Sequence, residues 1–227
     1  ADGVSGFQGG HEASRIAVQR TIEAFRAEPR SVRPAKRLYR AVQRANIAVH
    51  DLALAVPELN GMATTLTAVV LVSGELFSVH IGDCRLYLYR DGQVLQLSRD
   101  HTVAGERVRL GLLSKTRAKH HPGRSTLTRG LGRELIARVD QISTRVAEHD
   151  VLVVCSDGIH GLIDDAEIAG LCGLPSAEAL CEALIGAANA RGSPDNVTAA
   201  VARVTGAPPA GSRGRSLSER LFRMRRA

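Results

Sequence analysis

Aspartates occupy short turns in four separated parts of the sequence, beside predicted strand ends. They are Asp2, Asp83, Asp157 and Asp195, and the first and third are each followed directly by glycine. Carboxylates gathered at one rim repel each other unless hard, oxygen-loving cations lie between them. The four turns together therefore indicate a metal-dependent enzyme.

The residue types also indicate which metal such a site would take. Sites built only from oxygen ligands favour Mg²⁺ or Mn²⁺ over Zn²⁺, which prefers histidine or thiolate. A glycine beside an aspartate, as in Asp2-Gly3, lets a backbone carbonyl approach an ion closely. Singly, each turn has a simpler explanation: Asp-Gly pairs are common in plain turns, Asp83 could pair with Arg85, and Asp195 with Asn196 could form an Asx turn. Only the set of four favours a metal site.

Composition limits the other function classes. The chain has 227 residues, of which 44% are hydrophobic, enough for one domain with a substantial core. Aromatic residues make up only 3%, which leaves few stacking platforms for single-stranded nucleic acid. The net charge is +7, but six Arg and one Glu within Ser212–Ala227 supply +5 of it and leave +2 for the rest. A basic tail is thus predicted rather than a nucleic-acid-binding body.

Cysteine usage predicts a reducing compartment. The four cysteines form no CxxC pair and no metal-finger spacing; they are Cys84, Cys155, Cys172 and Cys181. We expect reduced, mostly buried thiols and a cytoplasmic location. No signal peptide or membrane-length apolar run is visible. Because the sequence opens on Ala1 inside a motif, we also expect the natural chain to begin earlier.

Apolar periodicity predicts the elements that must position these turns. Two amphipathic helices are expected first, at 12–27 and across 38–52, packed side by side on a sheet. A β-meander should follow, with strands at 64–72, 75–81, 85–90 and 93–97. The polar segment 100–125 has no period and is predicted as mobile surface, with exposed His101, His120 and His121. Later elements are expected as strands at 137–143, 151–155 and 197–204 and helices at 164–171 and 177–191.

Helices and strands are grouped in blocks, which favours an α+β layered fold with antiparallel sheets. Residues 1–205 form the predicted domain. Residues 206–227 are predicted as a Pro/Gly linker and an Arg-rich tail that could contact acidic surfaces.

In this order the motifs resemble one family, the metal-dependent protein Ser/Thr phosphatases of the PPM (type 2C) family in their bacterial form. The resemblance runs nearly from end to end. The matching stretches are Asp2-Gly3, Gly61–Thr67, His80–Arg85, Asp100–Thr102, Leu127–Gly132, Cys155–Gly158 and Ser193–Thr198.

The resemblance implies a four-layer α-β-β-α sandwich of two antiparallel sheets flanked by helix pairs. It also implies two Mn²⁺ or Mg²⁺ ions bridged by Asp2, with the Gly3 carbonyl as a ligand of one ion. Asp157 and Asp195 would hold the second ion, and Asp83 with Asp157 a weaker third. Asn196 would orient Asp195 from behind. The nucleophile would be a water shared by the two ions, so that Asp2 and Asp157 serve catalysis through it.

The chain also departs from the family pattern. The family's N-terminal strands, with a phosphate-binding Arg and a further acid, would precede Ala1, so the chain is expected to be truncated there. The Gly-rich turn carries Ser5 and Phe7 where relatives have Gly and His, and Val4 occupies the place of a suspected general acid of eukaryotic relatives. Substrate-binding residues are not predicted.

The predicted function is metal-dependent hydrolysis of phosphoserine and phosphothreonine in proteins, opposing a Ser/Thr kinase. The alternative is a non-catalytic phosphoprotein-binding or regulatory module. Nucleic-acid binding is not expected.

Overall fold

Two antiparallel sheets form the centre of the molecule in the computed structural model, which describes residues 1–4 and 9–206. Within these residues one sheet has three strands in the order β1-β2-β5, and the other has four in the order β4-β3-β6-β7. The strands are β1 (Leu66–Val72), β2 (Glu75–Ile81), β3 (Arg85–Arg90), β4 (Gln93–Gln96), β5 (Asp140–Arg145), β6 (Val151–Cys155) and β7 (Ala199–Arg203). The altered positions Ser5 and Phe7 and the predicted tail beyond Gly206 lie outside the described residues.

Helix pairs cover the outer face of each sheet. The described helices are α1 (Gly10–Ala27), α2 (Pro34–Ala55), α3 (Val103–Arg109), α4 (Lys115–Ala118), α5 (Asp157–His160), α6 (Asp165–Leu171) and α7 (Ala177–Ala190), with a short 3-10 turn at Pro57–Leu59. Helices α1 and α2 share a buried apolar cluster with β1 and β2, and α5 to α7 share a second one with β3, β6 and β7.

A third apolar cluster lies between the two sheets, with Leu76 of β2 against Leu86, Leu88 and Leu152 of the other sheet. Burial of aliphatic surface in these three clusters stabilises the packing of the layers. The predicted four-layer α-β-β-α sandwich is therefore confirmed.

The predicted meander is wrong in one respect that concerns the site. Strands β2 and β3 do not pair; the chain leaves the first sheet at Ile81 and enters the second at Arg85. Gly82 in this crossover has a φ of 102°, and a Cβ there would lie 2.5 Å from the side chain of Thr65. Alternating polarity along a strand does not reveal which sheet the strand joins, so the crossover was not visible in the sequence.

The polar segment 100–125 was predicted to be irregular, and this prediction is wrong. The segment contains the helices α3 and α4. Thr102 caps α3 by accepting a hydrogen bond from Gly105 N at 3.0 Å, and Ser114 caps α4 at 3.3 Å from Arg117 N. These helices are too short to show a hydrophobic period. Only their N-capping residues indicate them in the sequence.

Strand β5 begins three residues later than predicted, at Asp140 rather than Ala137. The side chain of Gln43 on α2 donates to Ala137 O at 2.8 Å and accepts from Ala137 N at 3.1 Å. Ala137 therefore pairs with a helix side chain instead of a neighbouring strand. The other predicted strands agree with the structure to within two residues.

All four cysteines are free thiols, as predicted. Among the described helices, none combines the length and apolarity needed to cross a membrane.

Candidate metal centre

Asp2 is held in place by the Thr64-Thr65 pair that precedes β1. Thr65 Oγ1 accepts from Asp2 N at 2.9 Å, and Asp2 O accepts from both Thr65 N and Thr64 Oγ1 at 2.8 Å. Gly3 continues this pairing with Thr64. A Cβ on Gly3 would lie 2.1 Å from Gly10 O, so only glycine fits beside the start of α1.

Asp157 is the first residue of α5, directly after β6, and a network of backbone contacts brings the Asp195 loop beside it. Ser156 Oγ donates to Asn196 O at 3.1 Å and accepts from Thr198 N at 3.1 Å. A Cβ on Gly158 would lie 2.5 Å from Asn196 O, so this approach also requires glycine.

Asp195 itself is exposed, and its Oδ1 accepts from the backbone N–H of Asn196 at 2.8 Å. The contact that orients the Asp195 carboxylate therefore comes from the main chain of Asn196. Asn196 was predicted to orient Asp195. The contact in the structure is made by the backbone N–H of Asn196 and does not involve its amide side chain.

Asp83 lies in the crossover between the sheets and is only 7% exposed. It does not pair with Arg85, the simpler explanation considered for it. The Arg85 guanidinium is bidentate to Asp100, with Nε 3.0 Å from Oδ1 and Nη2 2.7 Å from Oδ2. The Asp83 carboxylate is thus available for another cation.

Electrostatic interactions link Asp2 with Asp157 and Asp195, and Asp83 with Asp157 and Asp2. Burial, followed by repulsion from Asp157 and Asp195, raises the pKa of Asp2, and the Asp2 and Asp157 carboxyls lie within hydrogen-bond reach of each other. Burial and repulsion from Asp195 likewise raise the pKa of Asp157. Burial, Asp157, Asp100 and Asp2 raise the pKa of Asp83 to about 8. Each shift reports negative charge that lacks a compensating cation.

One oxygen in the cluster is an orphan. Asp157 Oδ1 is buried and has no hydrogen-bond partner among the described atoms. A buried carboxylate oxygen without a donor is costly, and a hard cation would satisfy it. The donor set, carboxylates and the Gly3 carbonyl, fits Mg²⁺ or Mn²⁺. Within residues 1–4 and 9–206, however, no group of three or more acidic, histidine or cysteine side chains is arranged so that it could hold a metal ion by itself. The assignment of individual ligands remains a prediction.

Histidines around the Asp83 crossover were missed as site residues. His101 is 2% exposed, not a surface residue as predicted. Its backbone N–H donates to Gly82 O at 2.8 Å, its Nδ1 accepts from Gly82 N at 3.1 Å, and its Nε2 lies 3.3 Å from Asp140 Oδ2. The prediction failed because the polarity of the surrounding segment gave no sign that its first residues turn inward.

His160, at the end of α5, is the second missed histidine. Its Nε2 lies 2.9 Å from Asp83 O, and burial with Arg85 nearby lowers its pKa to about 4. The ring is therefore neutral at neutral pH and adds no positive charge beside the carboxylates. Its position three residues after Asp157 was the available signal, since that spacing returns a helical side chain to the same face.

Comparison with known proteins identifies the family of the chain. The family model described as Protein phosphatase 2C matches residues 1–199, most of the chain. The chain belongs to the protein phosphatase 2C family.

Curated and solved phosphatase 2C relatives cover most of the chain. A Listeria innocua serine/threonine phosphatase, stp, is 33% identical over 205 residues, which span 87% of this chain and 80% of that protein. The crystal structure of the Mycobacterium tuberculosis serine/threonine phosphatase PstP/Ppp superposes with a TM-score of 0.83 at 31% identity, over 90% of this chain and 86% of that one. A structure of the PstP catalytic domain in complex with two manganese ions has a TM-score of 0.80 at 30% identity, covering 90% and 85%.

Proposed function

We propose that this chain is a protein serine/threonine phosphatase that hydrolyses phosphoserine and phosphothreonine monoesters in proteins. The observation that carries the proposal is that carboxylates from distant segments act on each other: beyond the effect of burial, Asp157 and Asp195 raise the pKa of Asp2, and Asp157 and Asp2 raise the pKa of Asp83. Membership of the phosphatase 2C family supports the same reaction.

The cofactor in this proposal is a pair of Mn²⁺ or Mg²⁺ ions, with a weaker third, supported by the two manganese ions in the PstP catalytic domain. When bound, such ions activate water and neutralise charge on the phosphoryl oxygens. Asp2 and the Gly3 carbonyl would hold one ion, Asp157 and Asp195 the other, and Asp83 with Asp157 the third. Asp2 would help to hold both ions of the pair, and the catalytic role of Asp2 and Asp157 would be to fix the ions that activate water.

The protein itself contributes carboxylate ligands and a backbone that holds them in fixed positions. Thr64 and Thr65 fix the backbone of Asp2, and Ser156 fixes the Asp195 loop against α5. The carboxylates are therefore organised before a substrate arrives, which avoids reorganisation during the reaction. Cys84 and Cys155 are buried, which raises their pKa values and makes them poor nucleophiles.

The proposal extends to partners and location. The protein would oppose a Ser/Thr kinase, and the free thiols are consistent with action in the cytoplasm. The exposed Lys115, Arg117 and Lys119 around α4 form no ion pair among the described residues and would attract acidic phosphopeptides. Contacts of the Arg-rich tail with acidic surfaces belong to the same proposal.

The test is phosphate release from a phosphothreonine peptide by the purified protein. We expect activity with Mn²⁺, loss of activity with EDTA, and loss of at least about 100-fold in Asp157→Asn, because removing a ligand removes the ion it holds. Activity that persists under chelation would contradict the proposal. No observation on the described residues favours the non-catalytic alternative, which predicts phosphopeptide binding without Mn²⁺ uptake.

A further inference from the structure

A single side chain links two of the acidic segments. His160 ends α5, the helix that Asp157 begins, and its Nε2 lies 2.9 Å from the backbone oxygen of Asp83. The two residues are 77 positions apart in sequence and belong to different elements. The contact therefore ties α5, through the His160 side chain, to the crossover between the sheets.

The chemistry of the acceptor fixes the state of the ring. A backbone carbonyl only accepts hydrogen bonds, so the Nε2 of His160 must carry the hydrogen and donate it. His160 thus donates a hydrogen bond from Nε2, at the far end of its ring, to Asp83 O.

The crossover is held on the other side by a separate residue. The peptide before Asp83 is held through Gly82 O, which accepts from the backbone N–H of His101, and the preceding peptide is held through Gly82 N, which donates to His101 Nδ1. The peptide after Asp83 is fixed by His160. Both peptide planes that flank Asp83 are therefore held, and of these two histidines only His160 connects the turn to the Asp157 helix.

We propose that His160 is a positioning residue that sets the separation of the Asp83 and Asp157 carboxylates, and thereby the affinity of the cation position they share. The proposal rests on the proposed function, because it assumes that these carboxylates bind a divalent ion. It assigns His160 no contact with substrate or metal.

If His160 only filled space, its Nε2–H donor would not be needed. Two substitutions therefore distinguish a packing role from a positioning role. His160→Gln places an amide N–H at about the reach of the Nε2–H and keeps the donor. His160→Phe keeps an aromatic ring of similar size and removes the donor. A side chain that merely fills space should tolerate phenylalanine better than glutamine, whereas a positioning residue should show the reverse.

The experiment is a Mn²⁺ titration of the full chain, wild type and both variants, after removal of metal with EDTA and dialysis. Bound ions are counted by calorimetry and by the electron paramagnetic resonance signal of free Mn²⁺. We expect His160→Phe to weaken the weakest Mn²⁺ site at least about tenfold and His160→Gln to stay within about threefold of wild type. Losing the hydrogen bond to Asp83 O should also lower the midpoint of thermal unfolding of His160→Phe in EDTA, so the Mn²⁺ affinities are measured at a temperature where all three proteins are fully folded.

Equal Mn²⁺ affinities in all three proteins, or equal losses in both variants, would overturn the proposal. Should His160→Phe fail to fold, ¹⁵N spectra of the histidine rings in the wild-type protein decide: an Nε2–H tautomer for His160 supports the proposal, and an Nδ1–H tautomer overturns it.

The two proposals fail in different ways. If the wild type releases phosphate with Mn²⁺ but the variants bind Mn²⁺ equally, the positioning role is wrong and the proposed function stands. If the phenylalanine variant loses the weak site, the glutamine variant keeps it and the wild type releases no phosphate, the proposed function is wrong and the positioning role stands.

Discussion

Replacing Asp83 by asparagine should stabilise the metal-free protein at neutral pH. Burial and neighbouring carboxylates raise the pKa of Asp83 from 3.8 to about 8. Between these two values the folded state binds a proton that the unfolded state has lost. The free energy of unfolding therefore falls by about 1.4 kcal/mol per pH unit as the pH rises through this window.

The size of the effect follows from the window. The stabilising contribution of the protonated Asp83 is fully present below pH 3.8 and is lost as the pH rises through about 8. At pH 7 about three pH units of the window have been crossed, which corresponds to an upper value of about 4 kcal/mol. An asparagine side chain does not titrate, so Asp83→Asn should exceed wild type by up to that amount at pH 7 and match it near pH 4.

The assay is urea unfolding in EDTA, followed by circular dichroism from pH 4 to pH 8. Asp91→Asn is a matched control, since Asp91 lies exposed in the turn between β3 and β4, and it should leave the curve unchanged. With saturating Mn²⁺ the order of Asp83→Asn and wild type should reverse, because the ion stabilises the ionised carboxylate. Parallel stability curves for Asp83→Asn and wild type in EDTA would refute the reasoning.

Two further predictions concern stability and substrate binding. Gln43→Ala should lower the free energy of unfolding by about 1–3 kcal/mol, because it leaves the Ala137 N–H without its acceptor, while Ala137 O still accepts from Val139 N at 3.1 Å. Gln19→Ala on the exposed face of α1 should change it by less than about 0.5 kcal/mol in the same denaturation series. Reversing the α4 charges should raise KM for an acidic phosphopeptide roughly three- to tenfold at low salt and leave p-nitrophenyl phosphate hydrolysis unchanged. An equal rise in KM for both substrates would contradict the docking role. The variant carries Lys115→Glu, Arg117→Glu and Lys119→Glu.

Local patterns were sufficient for most of the elements and for the chemistry of the site. Strands such as β2 and β6 are dictated by short apolar and β-branched runs bounded by turn residues, and α1 by its apolar spacing. The Asp-Gly turns indicated a metal site from local sequence alone. A glycine beside an aspartate permits close backbone contacts, and this property depends only on the residue type at that position.

Long-range contacts decided what the sequence left open. The residue at which β5 begins depends on the Gln43 side chain, 94 residues away from Ala137, and the burial of His101 accompanies its contact with Gly82. The separation of β2 and β3 into different sheets follows from packing of whole layers. Residue types and turns determined which groups could bind a cation, since those are local properties of the chain. Only the tertiary structure decided that the Asp83 and Asp157 segments meet at one site linked by His160, since convergence of distant segments depends on how the layers pack.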